Sequence, residues 1–243
     1  MQDKKTNQEK VGMGDKINEF IQRNRKGIFA AACVILILFA GSLVFIYVKD
    51  NLDKKAAAEI EELITKFDEL REKMFDEEGN EEIDAFIAEL EDFGEKTRGF
   101  PGSKAKSMAA EIYVIREDWS KAEEAFTAAA RIGAKTYLGP ISLFNAAVAA
   151  EEQSRLEEAI DLLEQALSHK FEFIQAPHAQ FSVGRLNEQL GNYDEAIAAY
   201  REVLINWSDI QNWHLLARSR IIALEIKIES SIDLEDIAIE IND

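Results

Sequence analysis

Three histidines and a single cysteine are the side chains of this 243-residue chain best suited to metal binding or to nucleophilic chemistry at neutral pH. His169, His178 and His214 lie far apart in sequence, and no His or Cys pair has the spacing of a metal site. There is no phosphate-cradling glycine loop and no Gly-x-Ser-x-Gly elbow. Carboxylate pairs such as Glu151-Glu152 and Glu157-Glu158 are abundant, but on acid-rich helices such pairs are solvated faces. The sequence therefore predicts no enzyme, no catalytic residue, no cofactor, no metal and no small-molecule substrate. Binding to another polypeptide is the chemistry that remains.

Charge narrows the partner. The chain has a net charge of −18, unevenly spread. Met1 to Lys26 holds seven basic and four acidic side chains, a net of +3, whereas the chain from Lys49 onward holds 21 basic and 42 acidic, a net of −21. So acidic a region repels nucleic acid and anionic lipid heads alike, which excludes both as its partners.

Between these two parts, Gly27 to Val48 carries no charge over 22 residues. That length crosses a hydrocarbon core of about 30 Å. Arg23, Arg25 and Lys26 directly before it predict a cytoplasmic amino terminus and an exported remainder. Ile46-Tyr47-Val48-Lys49-Asp50 offers no small-residue cleavage site, so the segment is expected to be a retained span rather than a signal peptide. Ala30-Ala31-Ala32-Cys33 has the look of a lipoprotein processing site. However, the apolar stretch lies mostly after Cys33, the reverse of the usual order, and a thiol buried in the span is expected. With no other cysteine, the exported part has no disulfide.

The rest of the chain is organised by a repeat. Ala122, Ala159 and Ala196 stand 37 residues apart. Twelve residues before each is a small residue (Ala110, Ala147, Gly184), and three before each a large one (Trp119, Leu156, Tyr193). Four after each comes another large residue (Phe126, Leu163, Tyr200), and seven after each comes Ala129, Ala166 or Val203. Small residues let facing helices approach while large ones fill the gap between hairpins, so each unit completes its core against a neighbour. Pro101, Pro140 and Pro177 each stand just before a unit's first helix. Upstream, Ile60, Leu63, Ile64, Phe67, Leu70 and Met74 recur at helical steps on a long helix expected from Asn51 to Phe75. The stretch Glu77-Glu78-Gly79-Asn80 predicts a turn, and Ile83, Phe86, Ile87, Leu90 and Phe93 predict a second helix. This pair reads as a degenerate first hairpin, because Glu89 stands where the other units have Phe126, Leu163 and Tyr200. Trp213, Leu216, Ala217, Ile221 and Leu224 mark a last helix with no second helix after it, a terminal cap. The expected parts are residues 1–26 (tail), 27–48 (span), 49–100 (long helix and first hairpin), 101–210 (three repeats) and 211–243 (capping helix and acidic tail).

Gly184, Gly191, Tyr193, Ala196 and Tyr200 resemble the tetratricopeptide repeat in type and spacing, and Ala110, Tyr113, Trp119, Ala122 and Phe126 match it again. The resemblance covers about Gly102 to Asn206. It implies an all-α fold: a single N-terminal transmembrane helix followed by a right-handed α-solenoid of tetratricopeptide repeats with a C-terminal capping helix. In such stacks the first helix of each hairpin lines a binding groove. That geometry nominates Lys104, Ser107 and Glu111, then Ile141, Phe144 and Val148, then His178, Phe181 and Arg185. The middle of the row is apolar, which suits an apolar segment of a partner protein. Phe144 and Phe181 either lie open in the groove or are covered by the long helix or the capping helix. If they are open, Phe144→Asp and Phe181→Asp are expected to weaken partner capture without unfolding the domain.

A basic tail, one span and an acidic exported repeat domain together resemble the YfgM-like ancillary subunits of the secretion translocon. That resemblance implies a single-pass protein of the bacterial inner membrane with its repeats in the periplasm, and an adaptor for the translocon, a periplasmic chaperone or secreted chains. An alternative is an envelope-assembly scaffold resembling the BamD-type lipoproteins, whose repeats begin with a similar Phe100-Pro101-Gly102-Ser103 pattern. Another is a structural subunit of a membrane complex, acting as a homo-oligomer.

Overall fold

The computed structural model describes residues 13–72, 74 and 80–242, and among these every regular element is a helix. In order they are α1 (Met13–Arg23), α2 (Arg25–Leu70), α3 (Asn80–Lys96), α4 (Gly99–Ile115), α5 (Trp119–Ile132), α6 (Leu138–Glu152), α7 (Leu156–Leu167), α8 (Ala176–Leu190), α9 (Tyr193–Asn206) and α10 (Gln211–Asn242). The chain divides into two compact units, Met1–Lys55 and Ala56–Asp243.

In the first unit the charge-free segment lies inside α2, and every side chain from Val34 to Val48 is exposed. Among the described residues, α2 is the one helix long and apolar enough to cross a membrane, with a mean hydropathy of 2.1 over its most apolar window. Composition alone would also allow a signal sequence there. The first twelve residues of the basic tail lie outside the described residues.

The second unit is a stack of helical hairpins. The end of α2 pairs with α3, and Ile60, Leu63, Phe67, Leu70 and Met74 pack against Ile83, Phe86 and Leu90, with Met108 and Ile112 of α4 closing the cluster. α2 stops at Leu70 rather than at Phe75. Most of the turn expected at Glu77–Asn80 lies outside the described residues. Three further hairpins follow, α4–α5, α6–α7 and α8–α9, each packed on the next, and α10 closes the last one. All three prolines sit within the first turn of α4, α6 or α8, not ahead of it. There their missing N–H removes no helical hydrogen bond. α10 runs unbroken to Asn242, so the expected acidic tail is helical in backbone. Leu216, expected on the inner face of the cap, points out and is 47% exposed.

The repeat marks are where helices touch. Ala122, Ala159 and Ala196 are fully buried, as are Ala110 and Ala147 almost completely. At Gly184 a Cβ would lie 2.6 Å from the Tyr200 ring, so only glycine permits α8 and α9 to close.

The turn inside each hairpin repeats just as strictly. Glu117, Ser154 and Gly191, again 37 residues apart, have φ of 56°, 60° and 83°. The amide after each donates back to a carbonyl five residues earlier: Asp118 to Tyr113 (2.9 Å), Arg155 to Ala150 (3.0 Å) and Asn192 to Asn187 (2.9 Å). These are Schellman turns, which satisfy carbonyls left over at a helix end. Only the third has the glycine that the left-handed backbone favours; Glu117 and Ser154 hold it at a cost of about 1 kcal/mol each. Replacing either by glycine should raise the unfolding free energy of the full-length chain by roughly 0.5–1 kcal/mol, while Gly191→Ser should lower it by a similar amount. Urea denaturation followed by circular dichroism in detergent checks both signs.

Candidate protein-binding face

The nine residues nominated from sequence fall on α4, α6 and α8, the first helices of the three hairpins. On α4, Lys104 Nζ lies 3.9 Å from Glu111 Oε1. Burial pushes the Glu111 carboxyl above the ordinary range, against the opposing pull of Lys104 and of Arg71. Ser107 is buried and its hydroxyl lies 3.3 Å from that of Ser142 on α6, a polar link between neighbouring first helices.

On α6 the three positions separate. Ile141 is half-buried. Phe144 is buried, with its ring 6.3 Å from Phe173, in the linker before α8, and 5.1 Å from His178. Val148 is 41% exposed. On α8, His178 stacks on Trp213 of α10 at 5.0 Å with the planes 20° apart. Phe181 lies 5.0 Å from Tyr200 and 5.4 Å from Trp213. Arg185 reaches back to α6 and donates two bonds of 2.6 Å to the carboxylate of Glu151.

Phe144, His178 and Trp213 thus form a row of rings across three successive first helices, with Phe181 joined to its end. Phe144 is buried and Phe181 and Trp213 are half-buried in this packing, whereas His178 stacks on Trp213 with the rest of its side chain exposed. Phe144 contributes to the core beneath the face, so Phe144→Asp would place an unpaired charge in that core and unfold it. The substitution does not isolate partner capture. The apolar surface that remains open is centred on Val148, with half-buried Ile141 beside it, flanked by the Lys104–Glu111 pair on one side and the Arg185–Glu151 pair on the other.

Sequence reading missed Trp213 and Glu151 as members of this face. A signal for the second exists. Glu151–Arg185 belongs to a series of acid–arginine bridges from one hairpin to the next: Asp84–Arg116 (2.5 Å), Glu123–Arg155 (2.6 Å) and Glu188–Arg220 (3.1 Å from Nε) are the others. Each spans 32 residues and Glu151–Arg185 spans 34, close to the repeat length. Tyr200, whose hydroxyl meets Glu188 at 3.2 Å, has its phenol pushed up to about 12, first by burial and then by that carboxylate.

A second concavity of about 470 Å³ lies among α3, α4 and α5, lined by Glu91, Lys106, Tyr113, Lys121, Glu124 and Arg131. Its buried Lys106 is held by Glu91, with Glu95 at 3.5 Å. Among the described residues, no group of three or more His, Cys, Asp or Glu side chains is arranged to hold a metal ion.

A family profile, the tetratricopeptide repeat-like domain, matches residues 18–227. A tetratricopeptide repeat-containing protein of Treponema pallidum (strain Nichols) is 30% identical over 229 residues, 87% of this chain and 94% of that protein. Among solved structures, the nearly identical tetratricopeptide-like repeats of a putative kinesin light chain from Podosopora anserina align with a TM-score of 0.52 at 14% identity, over 74% of this chain and 92% of that one. A single-substitution variant of the same repeats aligns with a TM-score of 0.52 at 13% identity, over 75% of this chain and 94% of that one. At such identities the structures show a shared fold and nothing further. The chain belongs to the tetratricopeptide repeat-like domain family.

The ring row gives a pH-dependent readout. Burial, and secondarily Arg185, holds the His178 imidazole below its ordinary range, with Glu151 pulling the other way. A depressed histidine contributes stability that is complete above about 6.5 and is lost as pH falls through the lower folded value. With Trp119 and Trp207 replaced by Phe, Trp213 fluorescence should hold steady down to about pH 6.5. It should then be quenched by the stacked imidazolium with a midpoint below about 6.5, and the same titration of the His178→Gln variant should be flat.

Proposed function

We propose that this family member is a membrane-anchored, non-enzymatic adaptor whose repeat domain holds a short segment of another protein on the first-helix face. The observation that carries this reading is the exposed Val148 with half-buried Ile141 two turns before it on α6, an apolar strip bounded by paired charges. An aliphatic anchor rimmed by polar groups is how a repeat stack takes a peptide or one turn of a helix. The open stretch is short because rings fill the positions toward α10, so the bound segment is short as well. Weak affinity suffices when adaptor and partner share a membrane, since tethering raises the local concentration of one site around the other.

The finer assignment is an ancillary subunit of the secretion translocon in the bacterial inner membrane. The amino terminus would be cytoplasmic and the repeats periplasmic, assisting a chaperone or secreted chains near their exit point. Supporting it are the charge-free segment in α2, the basic residues just before it and the acidity of everything after it. Cys33 has helix on both sides within α2, which favours a retained span over a lipid-modified amino terminus.

Val148→Asp tests the strip directly, because Val148 is exposed and a carboxylate there leaves the fold intact. Co-purification of partner proteins with full-length chain from membranes should fall about ten-fold or more, as expected for loss of a central anchor, with circular dichroism unchanged. Undiminished co-purification would remove the face from consideration. Recovery of translocon subunits, a periplasmic chaperone or exported chains supports the finer assignment, and their absence from the lost set contradicts it.

A further inference from the structure

α10 is apolar on two sides. Ala217, Ile221 and Leu224, with Trp213 and Ile228, pack inward on α9 and α8. On the other side Leu215, Ile222 and Ile226 are 55%, 49% and 61% exposed. At about 3.6 residues per turn these three lie within about 40° of one another around the helix. Exposed Ser219 and Ala223 sit beside them, small enough to let another helix come close. A helix with apolar stripes on both sides belongs between two layers, and here the second layer is open.

The charges beside the stripe indicate what covers it. Arg218 and Glu229 flank it on the same side, about three turns apart, and among the described residues neither makes an ion pair. Their neighbours are already engaged, Glu225 with Arg201 at 3.2 Å and Lys227 over the Tyr193 ring at 4.6 Å. A basic group near one end of the stripe and an acidic group near the other complement the same stripe run in reverse. The stripe itself is nearly balanced: residues 211–230 hold three basic and two acidic side chains, and the four further acidic ones of α10 lie beyond it, in residues 231–242.

We propose that the outer face of α10 receives α10 of a second copy, antiparallel about a two-fold axis. The register that sets Ile222 opposite Ile226 of the partner subunit also sets Arg218 beside Glu229 of the partner subunit, and the two-fold axis makes each contact twice. This pairing is independent of what the repeat face binds.

The test uses the full-length chain, in detergent and in native membranes, with Cys33→Ser and Ala223→Cys so that a short bismaleimide links two copies across the stripe. A crosslinked dimer is expected. Arg218→Glu or Glu229→Arg alone should each lower its yield about ten-fold, and the two together should restore it to within about two-fold, since only a self-pairing in this register exchanges the charges. Three results would overturn the proposal: no dimer, a yield unmoved by the single reversals, or a crosslink from position 223 to a different protein. All the substituted side chains on α10 are exposed, and an unchanged helical spectrum confirms that each variant folds.

Discussion

The repeat domain depends on one steric constraint between α8 and α9, where the Tyr200 ring occupies the space that a Cβ at Gly184 would need. Tyr200 is fully buried. It packs against Phe181 on one side, and its hydroxyl meets Glu188, which Arg220 of α10 also binds. One side chain therefore joins the two helices of its own hairpin to the capping helix. The equivalent positions, Ala147 with Leu163 and Ala110 with Phe126, use slightly larger small residues and smaller or differently shaped partners. Close approach at each hairpin leaves little apolar surface for a hairpin to bury alone, so the core is made between neighbours.

The same closeness decides how much of the first-helix face is left for a partner. When successive first helices lie near one another, long side chains on that face reach the next helix before they reach solvent. Phe144, Phe181 and Trp213 are occupied this way, and Arg185 is held by Glu151, while His178 stacks on Trp213 and stays exposed. Val148 is too short to reach across and remains presented, beside the half-buried Ile141. The open strip is thus a consequence of side-chain length set against helix spacing. It sits where the ring row ends, and its floor is held by the core residues beneath it.

Much of this is legible in the residues. Helix order, the 37-residue register, the degenerate first hairpin and the apolar segment before it all follow from periodicity and small–large alternation, and the glycine at 191 announces its turn. The left-handed turns at Glu117 and Ser154 are hidden because neither residue advertises that backbone; only their register with Gly191 reveals it. The end of α2 at Leu70 is easily placed too late, because Met74 keeps the helical step beyond the helix itself. Which of Phe144, Phe181 and Val148 is open is not legible, since that depends on the distance between first helices, and residue spacing encodes direction around a helix and not the gap to the next one. Trp213 escapes for the same reason: its spacing marks it as core of the cap, whereas its ring bridges sideways to α8.

The proposed function rests on a short open strip held by the helical stack, on a chain that also exposes apolar side chains within α2 and on the outer side of α10. A photo-crosslinking residue placed in turn at positions 141, 145, 148, 181 and 213 of the full-length chain in intact cells measures the strip directly. An opening centred on Val148 predicts adducts to another protein from 148 and from its half-buried α6 neighbours at 141 and 145, and none from 181 and 213. Equal adducts from all five positions, or adducts from 181 and 213 alone, would contradict it.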